Sequence, residues 1–207
     1  MIFLLAAACS INPALADDIL RLRNADRENS IWVGEPGEGF NGGTRELGIG
    51  LGAGFGMKVI TSHRTHDWAL GSLEYGWIFT DVVGPDRWYR GNWEILLQLF
   101  GGSQFYPDVA YVVGGGPLIR YNFAVGHRLV PFIDFGGGAA ATDIRNGDLS
   151  TTFEFNLQAG VGTHWFFRDN LALTLQYRFI HLSNAGIKFP NLGANNSTFL
   201  AGVTWFF

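Results

Sequence analysis

Glu46-Leu47-Gly48-Ile49-Gly50-Leu51-Gly52-Ala53-Gly54-Phe55-Gly56-Met57-Lys58 alternates without a break. In an extended chain successive side chains point to opposite faces. Leu47, Ile49, Leu51, Ala53, Phe55 and Met57 therefore share one face. Glu46, Gly48, Gly50, Gly52, Gly54, Gly56 and Lys58 share the other. A water-facing row would carry Lys, Thr and Glu rather than repeated glycine. The inside of a narrow barrel needs small residues where charged ones meet, while bulky apolar side chains face lipid. This stretch thus favours a membrane barrel over a soluble sheet.

The pattern repeats. Alternating segments cover about 46–60, 67–80, 88–100, 109–123, 129–142, 151–166, 170–183 and 197–207, separated by polar or Gly/Pro/Asn/Asp breaks. Soluble strands run to roughly 5–6 residues, and these are about twice that, the length of a tilted membrane crossing. In the third segment Trp93, Ile95, Leu97 and Leu99 oppose Asn92, Glu94, Leu96 and Gln98. In the sixth, Phe153, Phe155, Leu157, Ala159 and Val161 oppose Thr152, Glu154, Asn156, Gln158 and Gly160. The second is blurred, with Ser72 and Glu74 against Leu73, Tyr75, Trp77 and Phe79. Arg120, Asp134 and Arg178 join the polar face, which predicts a paired network in the lumen rather than a channel. The rival architecture, a soluble β-sandwich, would bury the bulky row and expose the charged one. The expectation is an all-β, eight-stranded antiparallel transmembrane β-barrel over 45–207. Phe199, Ala201, Val203, Trp205 and Phe207 end the chain in the manner of bacterial outer-membrane barrels.

Composition agrees. The chain has 207 residues, 29 Gly, 18 Phe, 7 Trp and 6 Tyr, and a net charge of -4. That charge and the lack of a Lys/Arg run give no footing for nucleic acid. Residues 1–16 read as a signal peptide, with an apolar Ile2–Ala8 and an Ala14-Leu15-Ala16 cleavage site. It lacks a basic start, so either the true start lies upstream or the signal is atypical. The rival is a lipoprotein signal acylated at Cys9. Cleavage at Ala16 removes Cys9, the one cysteine, and with it any disulfide or thiol chemistry. Residues 17–44 form an irregular, polar N-terminal segment, within which Ser30 to Val33 could add a short strand.

Chemistry concentrates at His181-Leu182-Ser183-Asn184-Ala185-Gly186. His181 and Ser183 share a face, and that face continues through Phe179, Tyr177, Leu175, Leu173 and Leu171, the apolar row. Outer-membrane barrels keep both termini on the periplasmic side. Odd segments then run outward, and the seventh delivers His181 and Ser183 to its lipid-facing outer rim. Polar groups on that face are costly away from the interface. The bland reading is a pair resting among headgroups; the sharper one is a hydrolase dyad.

The run His181-Leu-Ser-Asn-Ala-Gly-Ile-Lys-Phe-Pro-Asn-Leu-Gly193 resembles the signature of the PagL-like lipid A deacylases (acyloxyacyl hydrolases), an H-x-S-N-A-G stretch followed by P-N-x-G. Asn92-Trp93-Glu94, Arg120-Tyr121-Asn122-Phe123 and Pro131-Phe132-Ile133-Asp134 resemble the broader family too. The resemblance implies a serine ester hydrolase of the bacterial outer membrane that acts on lipid A of lipopolysaccharide, at the 3-O position, among outer-membrane lipids and without a cofactor or metal. It puts the nucleophile on Ser183 and the general base on His181. For the oxyanion it offers the backbone N–H groups around Asn184 to Gly186 and the side-chain amide of Asn191. The family's histidine-orienting Glu falls on Asn195 here, a departure. Asn195 takes that role, or a carboxylate such as Asp143 or Asp148 does, or the enzyme is slow or has changed substrate. Glu94, Asp134 and Glu154 point into the lumen and cannot serve. Two other functions stand beside the deacylase: a structural or adhesive barrel, and a phospholipase using the same pair.

Other clusters read as bland. His63, Thr65, His66 and Asp67 are expected on a solvated periplasmic turn, not at a metal. Gly114-Gly115-Gly116 and Gly136-Gly137-Gly138 mark strand bends or lumen crowding, since no helix follows to hold a phosphate. Lys188, Arg145 and Arg90 are expected near outer loops, where they could meet substrate phosphates but are more simply solvated.

Overall fold

The computed structural model describes residue 39 and residues 41–124, 128–145 and 147–207. The expected signal peptide, Cys9 and nearly all of the expected irregular N-terminal segment lie outside the described residues. Eight strands form: β1 (Arg45–Gly56), β2 (Asp67–Ile78), β3 (Gly91–Tyr106), β4 (Ala110–Phe123), β5 (Leu129–Thr142), β6 (Phe153–Phe166), β7 (Leu171–Ser183) and β8 (Ala194–Phe206). Each pairs antiparallel with its sequence neighbour, and β1 pairs β8, closing the barrel. The two chain ends of the barrel meet at one rim, where Arg45 N–H donates to Phe207 O at 2.9 Å.

The alternation sorts side chains as expected. Ile49 and Leu51 stay 66% and 72% exposed, part of an apolar band around the whole outside. A band of that extent needs lipid to cover it. Trp77, Trp93, Trp165 and Trp205 project outward near the terminal rim, where Trp205 stacks on Phe207 with centroids 4.5 Å apart. Amphipathic rings suit the membrane interface.

The lumen is layered. At the terminal rim Ile78, Val130, Phe166, Ala172 and Phe206 form an apolar floor. Above it lies a charged layer around Arg120, which meets Glu46 at 2.8 Å, Glu74 at 3.0 Å and Asp134 at 3.3 Å. Arg178 meets Asp134 at 3.0 Å. Both arginines are fully buried, so each acid partner offsets a large desolvation cost. The network is paired, as the polar face predicted. The third layer was not expected: Trp68, Leu70, Phe100, Ile180, Leu182 and Leu200 fill the outer half, capped by Ile144 and Leu149 from the β5–β6 loop. Its origin is the blurred second segment, whose inward row is Trp68, Leu70, Ser72 and Glu74 rather than glycine.

Strand ends differ from the segments in two places that matter. β3 runs on to Tyr106, six residues beyond the expected 100. β8 starts at Ala194, not 197. Asn195 and Asn196 read as loop residues, but they belong to the β7–β8 ladder, and Asn196 Nδ2 donates to His66 O in the β1–β2 loop at 2.6 Å. The glycine triplets mark a close approach of β4 and β5. A Cβ on Gly116 would lie 2.7 Å from Gly138 Cα, and one on Gly138 would lie 2.7 Å from Gly116 Cα.

Candidate active site

β7 and β8 build the site. Their ladder sets His181 opposite Asn195. Asn195 Oδ1 lies 2.7 Å from His181 Nδ1, and Asn195 Nδ2 donates to Val59 O at 2.8 Å. The second contact fixes the first. A backbone carbonyl accepts only, so it holds the NH2 side of the amide and turns the oxygen to the imidazole. In the neutral ring Nδ1 then carries the proton and Nε2 the lone pair. That is the tautomer a general base needs. Asn195 is fully buried beneath residues 57–61, although its strand parity is outward.

Ser183 follows two residues after His181 on the same face, half-buried, opposite Phe155 of β6. Among the described residues Ser183 Oγ makes no hydrogen bond, to His181 or to another group. Ligand-free active sites often hold such contacts long, and they tighten on substrate. Around the pair the outer surface is apolar and aromatic. Phe153 and Phe155 pack edge to face at 5.1 Å, and Tyr177 packs against Phe199 at 5.2 Å. Tyr177 and Ser197 share a hydroxyl hydrogen bond of 2.9 Å.

The loop after Ser183 is tightly tied. Ile187 N–H donates to Asn184 O at 3.1 Å, and Ala185 and Gly186 take φ of 54° and 83°. Two consecutive positive φ values close a type I′ turn. Asn184 is the hub of this loop. Its N–H donates to Asn191 Oδ1 at 2.9 Å, its Oδ1 accepts from Gly186 N at 3.0 Å, and its Nδ2 donates to Lys188 O at 2.9 Å. The N–H groups of Asn184 and Gly186, two of the expected oxyanion donors, are therefore occupied within the loop. Asn191 spends its oxygen and keeps its NH2 free of any partner among the described residues.

Neither rival carboxylate reaches His181. Asp143 Oδ1 accepts the Tyr111 N–H at 2.7 Å. Asp148 Oδ2 lies 3.0 Å from His66 Nε2 and accepts the Arg64 N–H at 3.0 Å. Glu94, Asp134 and Glu154 are buried on the lumen side, as their parity required.

Two expectations fail here. Residues 57–66 do not lie on a periplasmic turn. β1 runs outward like every odd strand, so its exit loop stands at the outer rim against Asn195 and Leu192, and His66 is fully buried there. Arg90 lies at the opposite end, in the β2–β3 connection on the terminal side, so it cannot meet an outer-leaflet substrate. Lys188 and Arg145 are on outer loops. Arg145 is pinned to Thr142 O, Ile144 O and Thr151 O, whereas Lys188 is exposed beside Phe189. Gly193 was missed as a site residue. It takes φ of 80°, and a Cβ there would lie 2.8 Å from His181 Cε1. Its place in the quoted motif was the available signal.

Comparison with known proteins gives a consistent picture. The model of the lipid A 3-O-deacylase (PagL) family matches residues 49–204. Among solved structures, the outer membrane enzyme PagL is similar at 20% identity and a TM-score of 0.53, over 76% of this chain and 97% of that one. Neisserial surface protein A is similar at 13% identity and a TM-score of 0.54, over 78% of this chain and 96% of that one. No curated protein matches the chain.

Proposed function

The chain belongs to the lipid A 3-O-deacylase family, an outer-membrane family of carboxylic ester hydrolases, and from that premise we propose that it removes the 3-O acyl chain of lipid A by serine chemistry. The observation that carries the mechanism is the Val59–Asn195–His181 relay beside Ser183, which leaves His181 Nε2 as the free base on the lipid-facing side.

Ser183 Oγ attacks the ester carbonyl carbon while its proton passes to His181 Nε2. The tetrahedral intermediate collapses, the ester C–O bond breaks, and His181 returns the proton to the departing sugar oxygen. Water then attacks the acyl-enzyme, His181 takes its proton and gives it to Ser183 Oγ, and the fatty acid leaves. The oxyanion needs fixed donors. Asn191 Nδ2 and the Ala185 N–H remain for this once the occupied groups are set aside. The site opens on the apolar outer face, so the substrate enters sideways from the leaflet rather than through the plugged lumen.

Lipid A from cells carrying the wild type and from cells carrying Ser183→Ala, compared by mass spectrometry, tests this reading. It expects loss of one ester-linked acyl chain with the wild type only. Identical acylation in the two samples refutes it.

A further inference from the structure

Asp148, in the β5–β6 loop, is 1% exposed and makes contacts at both ends of its residue. Its carboxylate Oδ2 accepts from Arg64 N at 3.0 Å and lies 3.0 Å from His66 Nε2 and 3.1 Å from Ser62 Oγ. Its backbone oxygen accepts Leu192 N at 2.8 Å and Gly193 N at 3.2 Å. His66 extends the chain of contacts. Its Nδ1 lies 2.9 Å from Gln104 Oε1, while Gln104 Nε2 donates to Asp108 O at 2.7 Å and so fixes the amide. Both ring nitrogens of His66 thus face oxygens, the Gln104 amide on one side and the Asp148 carboxylate on the other. All four outer connections, 57–66, 107–109, 143–152 and 184–193, are joined through these side chains and the Asp148 carbonyl.

Two arms of this junction end on the base. Through the Asp148 carbonyl, Gly193 is held against the His181 ring. Through the Asp148 carboxylate, residues 57–66 are held so that Val59 O grips Asn195, and Thr61 Oγ1 donates to Leu192 O at 2.6 Å to tie the two arms together. We propose that Asp148 and His66 are positioning residues: a buried, hydrogen-bonded pair beneath the outer loops that fixes the orientation of His181 through Asn195 and Gly193 without touching substrate. The inference rests on the reading of His181 as the general base.

The test is a double-mutant cycle between Asp148→Ala and Asn195→Ala on the full-length barrel in detergent, with kcat and KM measured on lipid A micelles. The gel mobility of the unheated protein reports whether the barrel is folded. Asp148→Ala is expected to lower kcat about tenfold at little changed KM. In the Asn195→Ala background the same change is expected to lower kcat by clearly less than in the wild type, because one of the two arms is already gone and only the Gly193 arm remains to be lost. An equal fold-loss in both backgrounds, or an unchanged kcat in folded Asp148→Ala, overturns the proposal. Should Asp148→Ala fail to fold, His66→Gln takes its place in the cycle with the same two outcomes. Failure of the functional reading is separate: it shows as a Ser183→Ala enzyme that still deacylates.

Discussion

Asn195 faces His181 across the β7–β8 ladder with its amide oxygen 2.7 Å from the imidazole Nδ1. An amide selects the right tautomer but adds no charge to stabilise the imidazolium that forms in the reaction. The contact is worth about one neutral hydrogen bond, roughly 1 kcal/mol. Asn195→Ala should therefore cut kcat by several-fold to about tenfold and spare KM, as read from initial rates of acyl release. A loss of about a thousandfold or more would show that Asn195 does more than orient.

Gly193 and Gly186 share a positive φ but not a neighbour. A Cβ at 193 meets His181 Cε1 at 2.8 Å, while nothing lies within 4 Å of one at 186. Each alanine substitution carries a backbone cost of about 1–2 kcal/mol. Gly193→Ala should in addition displace the imidazole. Thermal unfolding should show similar small losses for the two, while deacylation falls at least tenfold further for Gly193→Ala.

Much of this arrangement was legible in the sequence. The glycine row of residues 46–58 announced the barrel, and strand parity put His181 and Ser183 outside it. What the sequence hid was contact between loops. The motif set Asn195 against His181, but its second partner, Val59, lies 136 residues away and no pattern joined the two. His66 looked solvated because Gln104 and Asp148 lie 38 and 82 residues away. The apolar outer half of the lumen was masked for a similar reason. Trp68 and Leu70 break the alternation of one strand, and they find their partners only when the barrel closes.

The junction at Asp148 has a pH signature. Burial pushes its carboxyl up, but hydrogen bonds from His66, the Arg64 N–H and Ser62 outweigh burial and hold it below the usual carboxylate range. A lowered folded value means that its contribution is complete above the ordinary Asp value of about 4 and is lost as pH falls through the lower folded value. The protection of amides in residues 57–66 and 184–193, taken relative to the intrinsic exchange rate at each pH, should stay flat from neutrality to about pH 4 and fall in stronger acid. In Asp148→Ala that protection should be low throughout and should not change with pH.

Arg120 holds the charged layer together, so its loss leaves buried carboxylates without their counter-charge. Arg120→Ala should destabilise the barrel by about 3–5 kcal/mol, read from the unfolding transition of the detergent-solubilised protein. The catalytic rate of the fraction that remains folded should stay within a few-fold of wild type, because His181 and Ser183 are on the other face of the sheet.

The central claim is that Ser183 is a nucleophile activated by His181 on the lipid-facing side of the outer rim. The most direct measurement is labelling of the folded, detergent-solubilised barrel with a fluorophosphonate, followed by peptide mass spectrometry. One adduct is expected, on Ser183, and none in His181→Ala. Undiminished labelling in His181→Ala, or no label on Ser183 in protein that is deacylating lipid A, would contradict the claim.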